Sequence, residues 1–185
     1  MTSDLVADLE RAFEAVGQLI ARIEPGQWAA PTPCTDWTVR DVVGHLVGLN
    51  LVFTALLTDG PMPDRQADPL GADPLAAYRT SAAAVTAAFG APGVLERTFT
   101  GPLGDATGAG RLRIRIADLL THAWDLARAT GIRVELPEDL VQDALANIRA
   151  QLAGQSRAGR FDDERSIAAD APALDRLAAF TGRVI

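Results

Sequence analysis

Apolar residues recur every three or four positions through most of this chain and alternate in only two short stretches. Leu5, Leu9, Phe13, Val16, Ile20 and Ile23 form one such series over residues 4–24, the repeat of an amphipathic helix with a single core-facing stripe. Ser3 stands where an N-cap belongs, and Pro25-Gly26 where the helix must stop. Val42, His45, Leu49, Val52 and Leu56 mark a second helix running to about Thr58. Its start is well punctuated: Thr38 as N-cap, Asp41 as the reciprocal partner of a capping box, Trp37 and Val42 as a hydrophobic staple. A loop from Trp28 to Trp37, stiffened by Pro31 and Pro33, joins the two helices. Asp59-Gly60-Pro61 ends the second helix, and a Pro- and Asp-rich connection leads to Asp73. The alanine-rich run 74–89 predicts a third helix, closed by Gly90.

Then the pattern loosens. Leu95, Arg97 and Phe99 alternate as in a short strand, and Gly101 to Gly110 reads as glycine-rich loop without the order of a phosphate-binding fingerprint. A fourth helix is predicted from about Leu112 to Thr130, stopped by Gly131. Its first residues, Leu112 to Ile116, also alternate, which leaves a strand start open. Arg111, Arg113 and Arg115 oppose the helix dipole there, so they pair with acids or face a ligand. A fifth helix follows Pro137 with Leu140, Val141, Leu145, Ile148 and Leu152. A polar loop from Ser156 to Ser166 precedes a short helix, Leu174 to Phe180. Neither an internal repeat nor a domain boundary interrupts this series. The reading is all-α: four main antiparallel helices with additional short helices and a C-terminal tail, forming one domain over residues 1–185.

Composition narrows the function. Hydrophobic residues are 48% and aromatics 5% of the 185 residues, a balance suited to closely packed helices. The formal charge of −7 speaks against nonspecific nucleic-acid binding, which needs clustered basic residues. Every basic residue is arginine. A single cysteine, Cys34, excludes an internal disulfide and fits a reducing compartment. The N-terminus lacks the layout of a signal peptide, and no apolar run is expected to approach a bilayer span of about 20 residues. The expectation is a cytoplasmic protein with no nucleic-acid or membrane partner, as monomer or homodimer.

The candidate chemistry lies in the fourth helix. Asp118 and His122 are four apart, hence on one face and about 6 Å apart along the axis. That spacing offers a carboxylate oxygen and an imidazole nitrogen to one cation. Asp125 continues the polar stripe, either as an acceptor orienting a liganding imidazole or as a surface partner of Arg128. The only other histidine, His45, also sits on an otherwise apolar helix. Each residue alone has a plainer reading: His45 as a satisfied core histidine, Asp118 as an ion-pair partner of Arg113 or Arg115, His122 as a surface histidine. Together, two imidazoles and a carboxylate make a three-ligand set that leaves positions for water or substrate. Cys34 reads as a small buried residue, not a nucleophile or ligand. Trp28, Trp37 and Trp124 read as packing residues.

The run Thr32 to Leu46, with Pro33-Cys34, Trp37-Thr38-Val39-Arg40-Asp41 and Gly44-His45-Leu46, resembles the signature of the mycothiol-dependent maleylpyruvate isomerase N-terminal domain. That family is part of the DinB-like group of metal-binding four-helix bundles. Asp118 to Gly131, with its His-x-x-Asp-Leu core, resembles the family's second signature, and Leu174 to Arg183 the tail of short, single-domain members. The resemblance implies a divalent metal, zinc with nickel as the alternative, held at His45, Asp118 and His122. Asp118 stands where the isomerase has Glu, one methylene longer. No counterpart of the isomerase's additional C-terminal domain is expected within these 185 residues, so maleylpyruvate isomerisation is not carried over. Two functions follow: a metal-dependent thiol transferase or isomerase using a low-molecular-weight thiol such as mycothiol, with Arg113 and Arg115 as ligand-binding residues for a small-molecule substrate; or a noncatalytic metal-binding sensor or interaction module.

Overall fold

Asp4 caps the first helix, α1 (Leu5–Ile20), its carboxylate accepting from the backbone N–H groups of Val6 and Ala7. The computed structural model describes residues 4–64, 66–100, 104–153, 157 and 161–185. Ser3, expected in the capping role, lies outside them, as do parts of the glycine-rich loop and of the polar loop after residue 153. A 3-10 turn, Pro25–Gln27, follows α1.

Helix α2 (Val39–Leu57) begins with the expected capping box: the Thr38 hydroxyl meets the Asp41 carboxylate at 2.6 Å, and the Thr38 N–H donates to it at 2.9 Å. By length and composition α2 is apolar enough to cross a membrane, contrary to the expectation of no such run. In the fold it packs on α3 (Pro74–Phe89) and on α4 (Gly108–Thr130). Helix α1 packs on the same two helices, so the four close into a ring ordered α1, α3, α2, α4. Helices α5 (Glu138–Leu152) and α6 (Ala173–Phe180) pack on each other and on α4. The mostly helical architecture is the all-α bundle with extra helices that the periodicity predicts.

One stretch differs. Two two-residue strands, β1 (Thr98–Phe99) and β2 (Ala106–Thr107), pair antiparallel, and the Thr107 hydroxyl accepts from the Gly110 N–H to start α4 at Gly108. The alternating run 112–116 is therefore helical, four residues inside α4. Leu112, Arg115, Ile116 and Leu119 share a buried helix face at the i, i+3, i+4, i+7 spacing. A buried arginine in that series is what makes it look like a strand.

Arg115 also explains why the four helices hold one register. It is 0% exposed; its Nε and Nη2 donate to the side-chain Oδ1 of Asn50 at 3.0 and 2.8 Å, and Nη2 also to the Leu46 backbone carbonyl at 2.9 Å. The Asn50 amide donates to Ser81 at 3.1 Å, the Ser81 hydroxyl to the Tyr78 carbonyl, and the Tyr78 hydroxyl to the Phe13 carbonyl. One polar chain thus runs α4–α2–α3–α1 through the core with its members satisfied, the condition under which buried polar groups specify a packing.

Candidate metal centre

Asp118 and His122 stand one turn apart on α4, facing α2 where it carries His45. The nearer Asp118 oxygen, Oδ1, is 3.1 Å from His45 Nε2 and 3.6 Å from His122 Nε2. The other oxygen, Oδ2, takes a 2.5 Å hydrogen bond from Arg115 Nη1. Arg115 thereby fixes the carboxylate with one oxygen turned toward the two imidazoles. His45 is the most open of the three, its side chain 26% exposed; His122 is buried. Burial alone would raise the Asp118 pKa, but His45, His122 and Arg115 together hold it well below the usual carboxylate range.

The far side of His122 is held as firmly. Its Nδ1 lies 2.9 Å from Asp125 Oδ2. Asp125 is 0% exposed and receives Arg183 on both oxygens, Nε to Oδ1 at 3.1 Å and Nη2 to Oδ2 at 2.8 Å. Burial pushes the Asp125 carboxyl up, yet its bonds to His122 and Arg183 bring it below the ordinary value. Trp37 covers the histidines: its ring stacks on His122 with centroids 5.7 Å apart and tilts over His45 at 4.8 Å. The loop holds it there. Trp37 N–H donates to the Cys34 carbonyl, the Trp37 carbonyl accepts from the Thr32 N–H, and Asp36 takes a left-handed φ of 65° to make the turn.

These distances suit a cation. Ligand atoms about 2.0–2.1 Å from a tetrahedral zinc lie roughly 3.3 Å from one another, between the two separations Asp118 Oδ1 shows. The ligand atoms of His45, Asp118 and His122 all fall within 4.8 Å of one another. So do those of Cys34, His122 and Asp125. The second group is the poorer site, because Arg183 occupies both Asp125 oxygens and a cation there meets a guanidinium. The His-Asp-His group has one carboxylate oxygen, Oδ1, that meets only the imidazoles and no guanidinium.

The sequence singles out six residues for this centre, and the structure brings four of them, His45, Asp118, His122 and Asp125, together. Arg113 lies elsewhere, in a recess of about 220 Å³ with Asp8, Leu140 and Asp143, between α1 and α5. Arg115 faces the core, fully buried, with its bonds given to Asn50, Leu46 and Asp118. Two neighbours are not placed here by the sequence: Arg183, which it does not single out, and Cys34, which it reads only as a small buried residue. Arg183 reaches Asp125 from 58 positions away, and Cys34 comes beside His122 and Asp125. Both line a cavity of about 590 Å³ with Thr35, Phe161, Arg165 and Thr181. Burial pushes the Cys34 thiol up, with Arg183 opposing, so Cys34 is not a preformed thiolate. The Phe180-Thr181-Gly182-Arg183 helix ending was the one sequence signal that could have pointed to Arg183.

Fold and site define an all-α bundle whose central helices set two histidines and an aspartate around one point. Residues 9–127 match the mycothiol maleylpyruvate isomerase N-terminal domain family, and the chain belongs to that family. An uncharacterized protein of Mycobacterium tuberculosis, Rv0738, is 38% identical over 178 residues, covering 95% of this chain and 96% of that protein. A second from the same organism, Rv0036c, is 35% identical over 54 residues, 29% of this chain and 21% of that protein. No solved structure matches the chain.

Proposed function

We propose that the protein is a divalent-metal-dependent thiol transferase or isomerase that works with a low-molecular-weight thiol of the mycothiol type. The observation that carries the reading is the His45–Asp118–His122 geometry: three ligand atoms at mutual separations suited to one cation, inside a family named for mycothiol chemistry. Zinc is the first choice for an N,N,O donor set, with nickel next. A bound cation would favour deprotonation of a thiol and so supply a thiolate near neutral pH. The chain's own residues do the rest. His45, Asp118 and His122 hold the cation, Arg115 keeps one Asp118 oxygen turned away from it, and Trp37 shields the imidazoles from solvent on one side. The cavity beside Cys34 and Arg183 has room for the body of the thiol and its electrophile.

A noncatalytic sensor or interaction module is the second reading. It is favoured by the donor set being satisfied without any cation: His45 and Arg115 already bond Asp118, and Asp125 already bonds His122. Elemental analysis of protein purified without added metal, followed by a mycothiol-dependent transfer and isomerisation screen of the zinc-restored protein, separates the readings. Stoichiometric metal with activity lost in a folded His122→Ala variant supports the enzyme. Metal without thiol-dependent turnover supports the module, and no metal at all overturns both.

A further inference from the structure

Helix α6 ends in a way that matters to the centre it does not belong to. Gly182, at φ 95°, donates its N–H to the Ala179 carbonyl, and the Arg183 N–H donates to the Ala178 carbonyl. That pair of bonds is a Schellman ending, which requires a left-handed residue at this point. A side chain at 182 would also run into Asp162. The turn reverses the chain, and Arg183 passes back across α4 to Asp125. The Trp124 indole N–H donates to Asp175 at 2.7 Å and ties α6 to the same stretch of α4.

We propose that Arg183 is a positioning residue of the metal centre, acting through Asp125 to set the tautomer and direction of His122. The inference rests on the metal reading of His45, Asp118 and His122. An ionised carboxylate can only accept hydrogen bonds, and Arg183 donates to both Asp125 oxygens. The His122 nitrogen 2.9 Å from Asp125 must therefore be the protonated one. Its Nε2 is left with a lone pair aimed at the point where Asp118 Oδ1 and His45 Nε2 converge. Without Arg183, nothing fixes the plane of the Asp125 carboxylate or which oxygen faces His122, so the His122 Nδ1–H loses its set acceptor and the ring is no longer held to one tautomer and direction. A guanidinium does this better than an ammonium, because two parallel bonds fix the carboxylate plane.

The test measures zinc affinity by chelator competition in wild type, Arg183→Gln, Arg183→Lys and Gly182→Ala, beside the melting point of each without metal. Arg183→Gln should bind zinc about 10–100-fold more weakly, as loss of a residue supporting a metal ligand does. Arg183→Lys should fall between, and Gly182→Ala should follow Arg183→Gln. A residue that merely stabilises α6 would lower the metal-free melting point and leave zinc affinity alone; that result overturns the proposal. Nitrogen-15 spectra of metal-free protein, above the histidine titration range, give a second readout. Wild type should show His122 protonated on Nδ1, and Arg183→Gln a mixture. Nε2 protonation in wild type, or the same tautomer in both, overturns the proposal even if the variants bind zinc poorly. If wild type binds no zinc, the metal reading fails and the tautomer comparison alone decides what Arg183 does.

Discussion

Arg115 is the residue on which bundle and site both depend. It bridges Leu46 and Asn50 on α2 to Asp118 on its own helix while fully buried. Arg115→Leu leaves Asp118 without its cation and Asn50 without its donor, a change of the kind that costs about 3–5 kcal/mol. Urea denaturation should show a loss of that size, and Arg115→Lys should recover little of it, since an ammonium gathers its three donors at one atom and cannot spread them over acceptors on two helices as the planar guanidinium does. Cys34→Ser should behave oppositely: zinc content by elemental analysis stays stoichiometric, because the three-atom group is complete without sulfur. Loss of metal from folded Cys34→Ser would make the sulfur a ligand. The sequence revealed Asp118 and His122 because a fixed helical spacing makes a face out of two positions. His45 stood out because it is the only other imidazole. Arg115 is legible in the sequence as a misfit in the helix dipole that pairs with an acid or faces a ligand, and it does pair with Asp118; its burial against Asn50 and Leu46 is not legible, since nothing in a linear sequence marks a cation whose acceptors lie in the core.

At the level of elements, the boundaries that could be read in advance are those set by side-chain chemistry. Thr38 and Asp41 start α2 where they should, and Gly131, left-handed at φ 71°, ends α4 as expected. Thr38→Ala should cost about 1 kcal/mol in thermal or chemical unfolding. Asp41 adds a pH dependence. Hydrogen bonds from the Thr38 hydroxyl and then the Thr38 N–H hold its carboxyl below the ordinary value. A group depressed in the folded state stabilises it above the unfolded value, about 3.9, and loses that contribution as pH falls through the folded one. Asp41→Ala should thus be less stable than wild type near neutrality, with the gap closing in acid; a gap that persists below that range would assign the effect to packing. The start of α4 was misplaced for a physical reason. Its cap, Thr107, is set by a two-residue strand pairing with Thr98, a contact the local pattern does not encode.

For the molecule as a whole, the ring of four helices encloses a core continuous from α1 to α6, and the centre sits between two members of that ring. The periodicity made the ring legible, whereas the loop that brings Cys34 and Trp37 over the histidines, and the turn that returns Arg183, are tertiary placements. The proposed metal reading gives the whole fold a measurable gain. A cation that binds only the folded state adds RT ln(1 + [L]/Kd), about 2.7 kcal/mol at a hundredfold excess over Kd. At this chain length each kcal/mol moves the melting point by about 2–4 °C, so chelation should lower it by roughly 5–11 °C. The metal-free protein should stay folded, unlike a zinc finger, because the hydrophobic core and the Arg115–Asn50–Ser81–Tyr78 chain stand without the ion. Replacing His45, Asp118 or His122 with alanine should remove most of the chelator-sensitive shift. Replacing Asp125 should only reduce it, since that side chain acts through His122. Melting curves for each variant with and without chelator check this. A full shift kept by Asp118→Ala would show that the carboxylate is no ligand, and the Cys34–His122–Asp125 group would then be the one to test.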